Sequence, residues 1–268
     1  VIPASNPSEA EIRTLLQWFH DTTLSATIRS ILLERIPPTI AADQLQLSYV
    51  KNNPPLQVHL MSWATDKGAW ASYIAASTAH ASKATRMQAA KFASLLQLPQ
   101  FAGSAVENEY LQMLYYNGQN SGFLLDLGNY YYQKNQLQEA IFAYKRAIEI
   151  DFKIADPYIN VIICLNSLGQ NEEALGFCKK AIENFPNEAA FYFYSGLIYA
   201  ENKQKDVALP FFKQAAEMEK TNAQYAYNYG VMLLQSGKRD QATFYLMRAA
   251  QLAPENKAYA DALQFARK

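Results

Sequence analysis

The residues able to do chemistry are few and poorly spaced for it. Histidine occurs three times, at His20, His59 and His80, and no two stand in the His-Glu-x-x-His spacing that sets two imidazoles on one metal. Two of them stand in apolar stretches (Phe19-His20 and Val58-His59-Leu60), and all three suit core or boundary positions better than ligation. The two cysteines, Cys164 and Cys178, are too few for a zinc set or a disulfide framework and read as small buried hydrophobes. No Gly-x-Ser-x-Gly turn offers a nucleophilic serine, and no Gly-x-Gly-x-x-Gly or Gly-x-x-x-x-Gly-Lys loop offers a phosphate cradle. The paired carboxylates Glu172-Glu173 open a helical stretch, where negative charge complements the helix dipole. The sequence therefore assigns no catalytic residue, no metal ligand and no cofactor.

Composition narrows the function classes further. The chain has 268 residues, half of them hydrophobic, with 24 Lys+Arg against 24 Asp+Glu. That is enough chain for one or two domains with real cores, and too little charge for a disordered one. The balance holds locally too, with 8 basic and 8 acidic residues in 1–120 and 16 of each in 121–268. Nucleic acids and anionic membranes select a basic surplus, so neither is an expected partner. No stretch reaches the ~18–20 apolar residues of a membrane span, so no insertion by this segment is expected. The first residue is Val1 rather than Met, which reads as a processed or trimmed form.

The elements that organise the second half are repeats. Ala140, Ala174, Ala208 and Ala242 recur every 34 residues, and Ala147, Ala181, Ala215 and Ala249 keep the same step. Gly128, Gly196 and Gly230 precede the first alanine of their repeats by twelve residues, with Ile162 in that place once. This pattern resembles the tetratricopeptide repeat, whose small residues at positions 8, 20 and 27 let two antiparallel helices approach closely. Four repeats run 121–154, 155–188, 189–222 and 223–256. Between their helices stand Lys134-Asn135, Leu168-Gly169, Asn202-Lys203 and Ser236-Gly237, where Gly and Asn tolerate a left-handed backbone. Pro186 and Pro254 end the second helix of two repeats. Residues 257–268 read as a capping helix, with Tyr259, Leu263 and Phe265 among charges.

The resemblance implies where a partner binds. In that family positions 2, 5, 9, 12 and 13 of the first helix line a concave groove, which selects Leu125, Asn129 and Tyr132 in repeat one. Ile159 and Ile163 follow in repeat two, Phe193 and Leu197 in repeat three, and Tyr227, Val231 and Leu234 in repeat four. Only Asn129 matches the Lys/Asn/Arg clamp by which chaperone-binding members hold an acidic terminus. The stripe is apolar and aromatic, which suits a protein or peptide with an apolar or amphipathic segment. Phe193, the largest and most central, reads as the main anchor. Self-association, or a place in a larger assembly, would fill the same stripe.

The first 118 residues lack the 34-residue step but read as helical throughout. Ser8-Glu9-Ala10-Glu11 forms a capping box ahead of Ile12, Leu15, Leu16 and Phe19 on one face. A second helix runs through Leu24 to Ile36, and further helices are expected at 40–51, 55–64, 67–80, 83–97 and 104–117. Short amphipathic helices with brief breaks suggest stacked pairs of the HEAT or armadillo kind. The expected fold is thus an all-α solenoid: a HEAT-like region over 1–118, four tetratricopeptide repeats over 121–256 and a cap over 257–268. The expected function is a non-enzymatic protein-interaction scaffold.

A fainter resemblance joins the stretches 150–160 and 222–231 to the C-terminal helical repeats of bacterial extracytoplasmic proteins, multihaem cytochromes among them. It implies an accessory domain of a larger assembly concerned with electron transfer, in the periplasm or outside the cell rather than in the cytoplasm. No Cys-x-x-Cys-His is present, so haem attachment is not implied. An enzyme with its site in the N-terminal half is the remaining alternative.

Overall fold

The computed structural model describes residues 9–20, 71 and 74–267, and every regular element among them is a helix. The chain divides into two compact units, Val1–Gly118 and Gln119–Lys268. In the first unit α1 spans Glu9–His20, α2 Lys83–Leu95 and α3 Ala105–Tyr116. The capping serine expected at Ser8, the helices expected through 24–64 and most of the one at 67–80 lie outside the described residues. Helices α2 and α3 pack as a pair, joined by the Arg86–Glu109 ion pair at 2.8 Å. At the start of α3, the Ser104 Oγ accepts the Glu107 N–H while the Glu107 carboxylate accepts from Gly103 N–H. Two of the open donors around that helix end are thereby satisfied.

Among the described residues the second unit is built from nine helices: α4 (Ser121–Gln133), α5 (Leu137–Ile150), α6 (Asp156–Ser167), α7 (Asn171–Asn184), α8 (Ala189–Glu201), α9 (Lys205–Met218), α10 (Ala223–Gln235), α11 (Arg239–Leu252) and α12 (Lys257–Arg267). They form four helix pairs and a final single helix, each packed on the next. The four turns within pairs are copies of one another. Asn135, Gly169, Lys203 and Gly237 all have φ between 58° and 74°, in the left-handed region. In each the next N–H reaches back five residues, as from Gln136 to Tyr131 O and from Lys238 to Leu233 O, both at 2.9 Å. This is the bond that closes a helix with a left-handed cap. In the third turn Lys203 takes that conformation rather than Asn202, so the position follows the 34-residue step and not the residue that tolerates it best.

Within each pair the helices touch at one contact. A Cβ added to Gly196 would lie 3.0 Å from the Phe212 ring, and one on Gly230 would lie 2.8 Å from Leu246. One on Gly128 would enter the Tyr144 ring. Repeat two reverses the sizes: Ile162 stands in the glycine position and faces the small Cys178, both at most 1 % exposed. The exchange goes with a wider approach: α6 and α7 pack less closely than the helices of the other three repeats, as a β-branched side chain in place of glycine requires. All eight recurrent alanines are fully buried beside these contacts.

The last helix behaves as a further first helix with nothing beyond it in the described residues. Ala266 is buried against α11, and Arg239 of α11 donates to the Phe265 and Ala266 carbonyls. Ala260, Gln264 and Arg267, which hold the places where earlier first helices receive their partner, are exposed. A polar residue at the glycine position fits the terminal helix of a stack.

The crossing contact is testable by exchange. Gly196→Ile should destabilise strongly, because packed cores answer overpacking with about 1–3 kcal/mol or more. Adding Phe212→Cys, which copies the Ile162–Cys178 arrangement, should recover at least about 1 kcal/mol of it in urea titrations. Strictly additive effects would show that the two positions do not meet.

Candidate functional site

The first helices of successive repeats lie side by side and form one face. The Asn160 side-chain amide on α6 donates to Asn129 Oδ1 on α4 at 3.2 Å, and the Tyr144 hydroxyl donates to the same oxygen at 2.8 Å. Phe193 on α8 stacks on Tyr225 of α10 with ring centroids 4.7 Å apart, and Tyr227 of α10 lies at the same distance from Tyr259 of α12. The second helices are joined by charge instead. Lys145 pairs with Glu173 at 2.5 Å, and the Tyr245 hydroxyl donates to Glu217 at 2.6 Å. Arg248 donates to the Ala216 carbonyl at 2.7 Å. One face is thus rings and amides, the other ion pairs.

The ten residues selected from the sequence all fall on the first helices, but they do not stand alike. Tyr132 is the most open, at 41 % exposure. Leu125, Asn129, Ile159, Ile163, Leu197, Tyr227, Val231 and Leu234 are half-buried. Leu125 and Ile159 pack against the core of the first repeats, and Leu197 and Leu234 against that of the later ones. Phe193 must be corrected. It is only 5 % exposed, wedged between Phe212 and Tyr225, and belongs to the core. Register alone put it in the open row, but its ring packs on Phe212 of the second helix and Tyr225 of the next repeat.

Three residues of this face were not selected from the sequence. Tyr194 and Asn160 stand at the sixth position of their repeats, and Phe265 stands at the ninth position of the final helix and is 63 % exposed. The signal was available, because Asp126, Asn160, Tyr194 and Asn228 keep the 34-residue step in polar and tyrosine side chains. Burial raises the Tyr194 hydroxyl above the ordinary phenol range, with the nearby Tyr132 hydroxyl adding to it. Burial pushes Tyr225 up to about 12, helped by Glu219, Tyr194 and Glu188. These phenols stay neutral and act as hydrogen-bonding rims on apolar rings.

The remaining chemistry-bearing groups serve the fold. Cys164 and Cys178 are free and at most 1 % exposed, and burial pushes both thiols up to about 11. They are neutral and shielded, the opposite of a reactive thiol. His80 Nδ1 accepts the Ser82 N–H at 3.0 Å just ahead of α2, a structural bond. His59 lies outside the described residues. Among the described residues no three His, Cys, Asp or Glu side chains converge as a metal set, and no helix is long and apolar enough to cross a membrane.

Comparison with known proteins agrees with the repeat geometry. Two tetratricopeptide repeat models match, one over residues 122–153 and one over 223–256. The crystal structure of TTC0263, a thermophilic TPR protein of Thermus thermophilus, superposes with a TM-score of 0.53. It is 21 % identical and covers 66 % of this chain and 99 % of its own. Two crystal structures of MamA each give a TM-score of 0.50 over 56 % of this chain, at 19 % and 21 % identity and over 81 % and 88 % of their own chains. Likeness at that identity speaks to the fold alone. No curated protein matches the sequence. The fainter likeness to multihaem extracytoplasmic proteins finds no support among these matches.

Two outcomes follow from the burial of these side chains. Phe193→Ala should cost about 3–5 kcal/mol of stability in a denaturant titration, the range for a large buried aromatic; a change under about 1 kcal/mol would return it to the surface. The thiols titrate higher folded than unfolded, so their contribution is whole below pH ~9 and is lost as pH climbs toward 11. The melting temperature should fall across that window, and a thiol reagent at pH ~8 should label neither cysteine until denaturant is added. Prompt labelling of the native protein would contradict the burial.

Proposed function

We propose that this chain, which carries tetratricopeptide repeats, is a non-catalytic interaction scaffold. Its first-helix face over residues 121–256 would hold an apolar or amphipathic segment of a partner protein. The observation that carries this reading is the row of partly open apolar side chains Ile163, Leu197, Val231 and Leu234, continued by the exposed Tyr132. These side chains keep solvent contact although the core beneath them is already full, and apolar area left in that state gains free energy when a partner covers it. Anchoring by a few such residues is the usual distribution of binding energy. With Phe193 in the core, Leu197 and Val231 take its place as central anchors.

The test is capture from a native lysate with crosslinking, using the parent and the Leu197→Glu/Val231→Glu variant. Both positions keep solvent contact, so the variant should stay folded by circular dichroism, with some loss of melting temperature from the core packing of Leu197, while losing the captured partner. An unchanged set of captured proteins would move the site off this face.

A further inference from the structure

The charges of the repeat unit are sorted by helix in a way its balanced total hides. Helices α4, α6, α8 and α10 contain no lysine or arginine at all, and carry only Asp126, Asp156 and Glu201 as charged residues. Each of α5, α7, α9 and α11 carries two cations, beginning with Lys145 and Arg146 on α5. Two more carboxylates, Glu188 and Glu219, stand where α8 begins and α9 ends, close enough to Tyr225 to act on its hydroxyl. The other lysines near this face sit in the turns at its rim, and two of these, Lys134 and Lys153, already lie over the Tyr130 and Phe152 rings.

We infer that the segment received by the first-helix face is cationic and amphipathic, with lysine or arginine set among its apolar residues. This rests on the reading above that the face is a binding site, and adds the partner's charge. An acidic segment laid across α4, α6, α8 and α10 would give up hydration with no cation on those helices to replace it. A cation would meet the carboxylates of Asp156 and Glu201 and the electron-rich rings of Tyr132 and Tyr194.

A second copy of the chain is a weaker occupant, because all four arginine and lysine side chains that its second helices hold in ion pairs or carbonyl contacts would have to be released. Lys145 pairs with Glu173, Arg146 with Glu149 and Arg248 with Glu217, while Arg239 holds the last carbonyls of α12. Docking them on another copy would break those contacts first.

Three synthetic peptides separate the possibilities. They share one leucine pattern at helical spacing and differ only in the polar positions, filled with lysine, glutamine or glutamate. Anisotropy titrations of the full chain should rank lysine over glutamine by about tenfold and glutamate last, with the lysine advantage shrinking at high salt. Asp156→Asn with Glu201→Gln, both exposed, should remove much of that advantage without changing the melt. If lysine binds no tighter than glutamine while Leu197→Glu still abolishes binding, the charge inference falls and the site stands. If Leu197→Glu leaves all three peptides unaffected, both fall. A lysine preference that survives the carboxylate variant arises elsewhere and also overturns the inference, as does a doubled mass in light scattering without peptide.

Discussion

The unit formed by Gln119–Lys268 depends on how closely the two helices of each repeat can approach. That distance is set by one pair of positions, where the first helix offers a glycine and the second fills the space with Tyr144, Phe212 or Leu246. Ala140, Ala174, Ala208 and Ala242 and their partners seven residues on keep the rest of the crossing equally tight, all fully buried. Because interiors are close-packed, a change of one methyl at the crossing is felt along both helices. In repeat two Ile162 stands against Cys178 instead, and its two helices pack less closely than those of the other repeats, so the glycine is what allows the tightest approach.

From that spacing the two faces follow. With the crossing fixed, the first helices lie together on one side of the unit and the second helices on the other. Ring stacking and amide bonds then join first helices, as between Phe193 and Tyr225 or Asn129 and Asn160. Ion pairs such as Lys145–Glu173 join second helices. The second helices carry the cations, some of them in contacts with one another such as Lys145–Glu173 and Arg248–Glu217, and the first helices carry a few carboxylates, phenols and partly covered apolar side chains. The asymmetry is what gives the face a chemical character, and it arises from a chain whose net charge is zero.

Stability and binding compete for the same aromatic residues on this face. Phe193 and Tyr225 are spent on joining repeats three and four, and Tyr227 on holding the final helix. What remains open is smaller and more aliphatic, at Ile163, Leu197, Val231 and Leu234, with Tyr132 at one end. A repeat array contacts only its neighbours, so each interface must supply its own cohesion before any side chain is left for a partner.

The sequence by itself determined the period, the helix pairs, the left-handed turns and the face on which each residue stands. These depend on local spacing: the 34-residue step of the alanines fixes register, and register fixes the side of a helix. It also carried the absence of any catalytic or metal motif in its few, scattered histidines and cysteines. What only tertiary structure decided is how deep each side chain lies. Phe193 and Leu197 stand on one helix one turn apart, yet the first is buried and the second half-open, because the rings of Phe212 and Tyr225 close over Phe193. Likewise Lys203 takes the left-handed turn while Asn202 beside it does not, since the repeat's geometry outweighs the residue's own preference. Spacing along a chain tells which way a side chain points; the size of its neighbours from other helices tells whether anything outside can reach it.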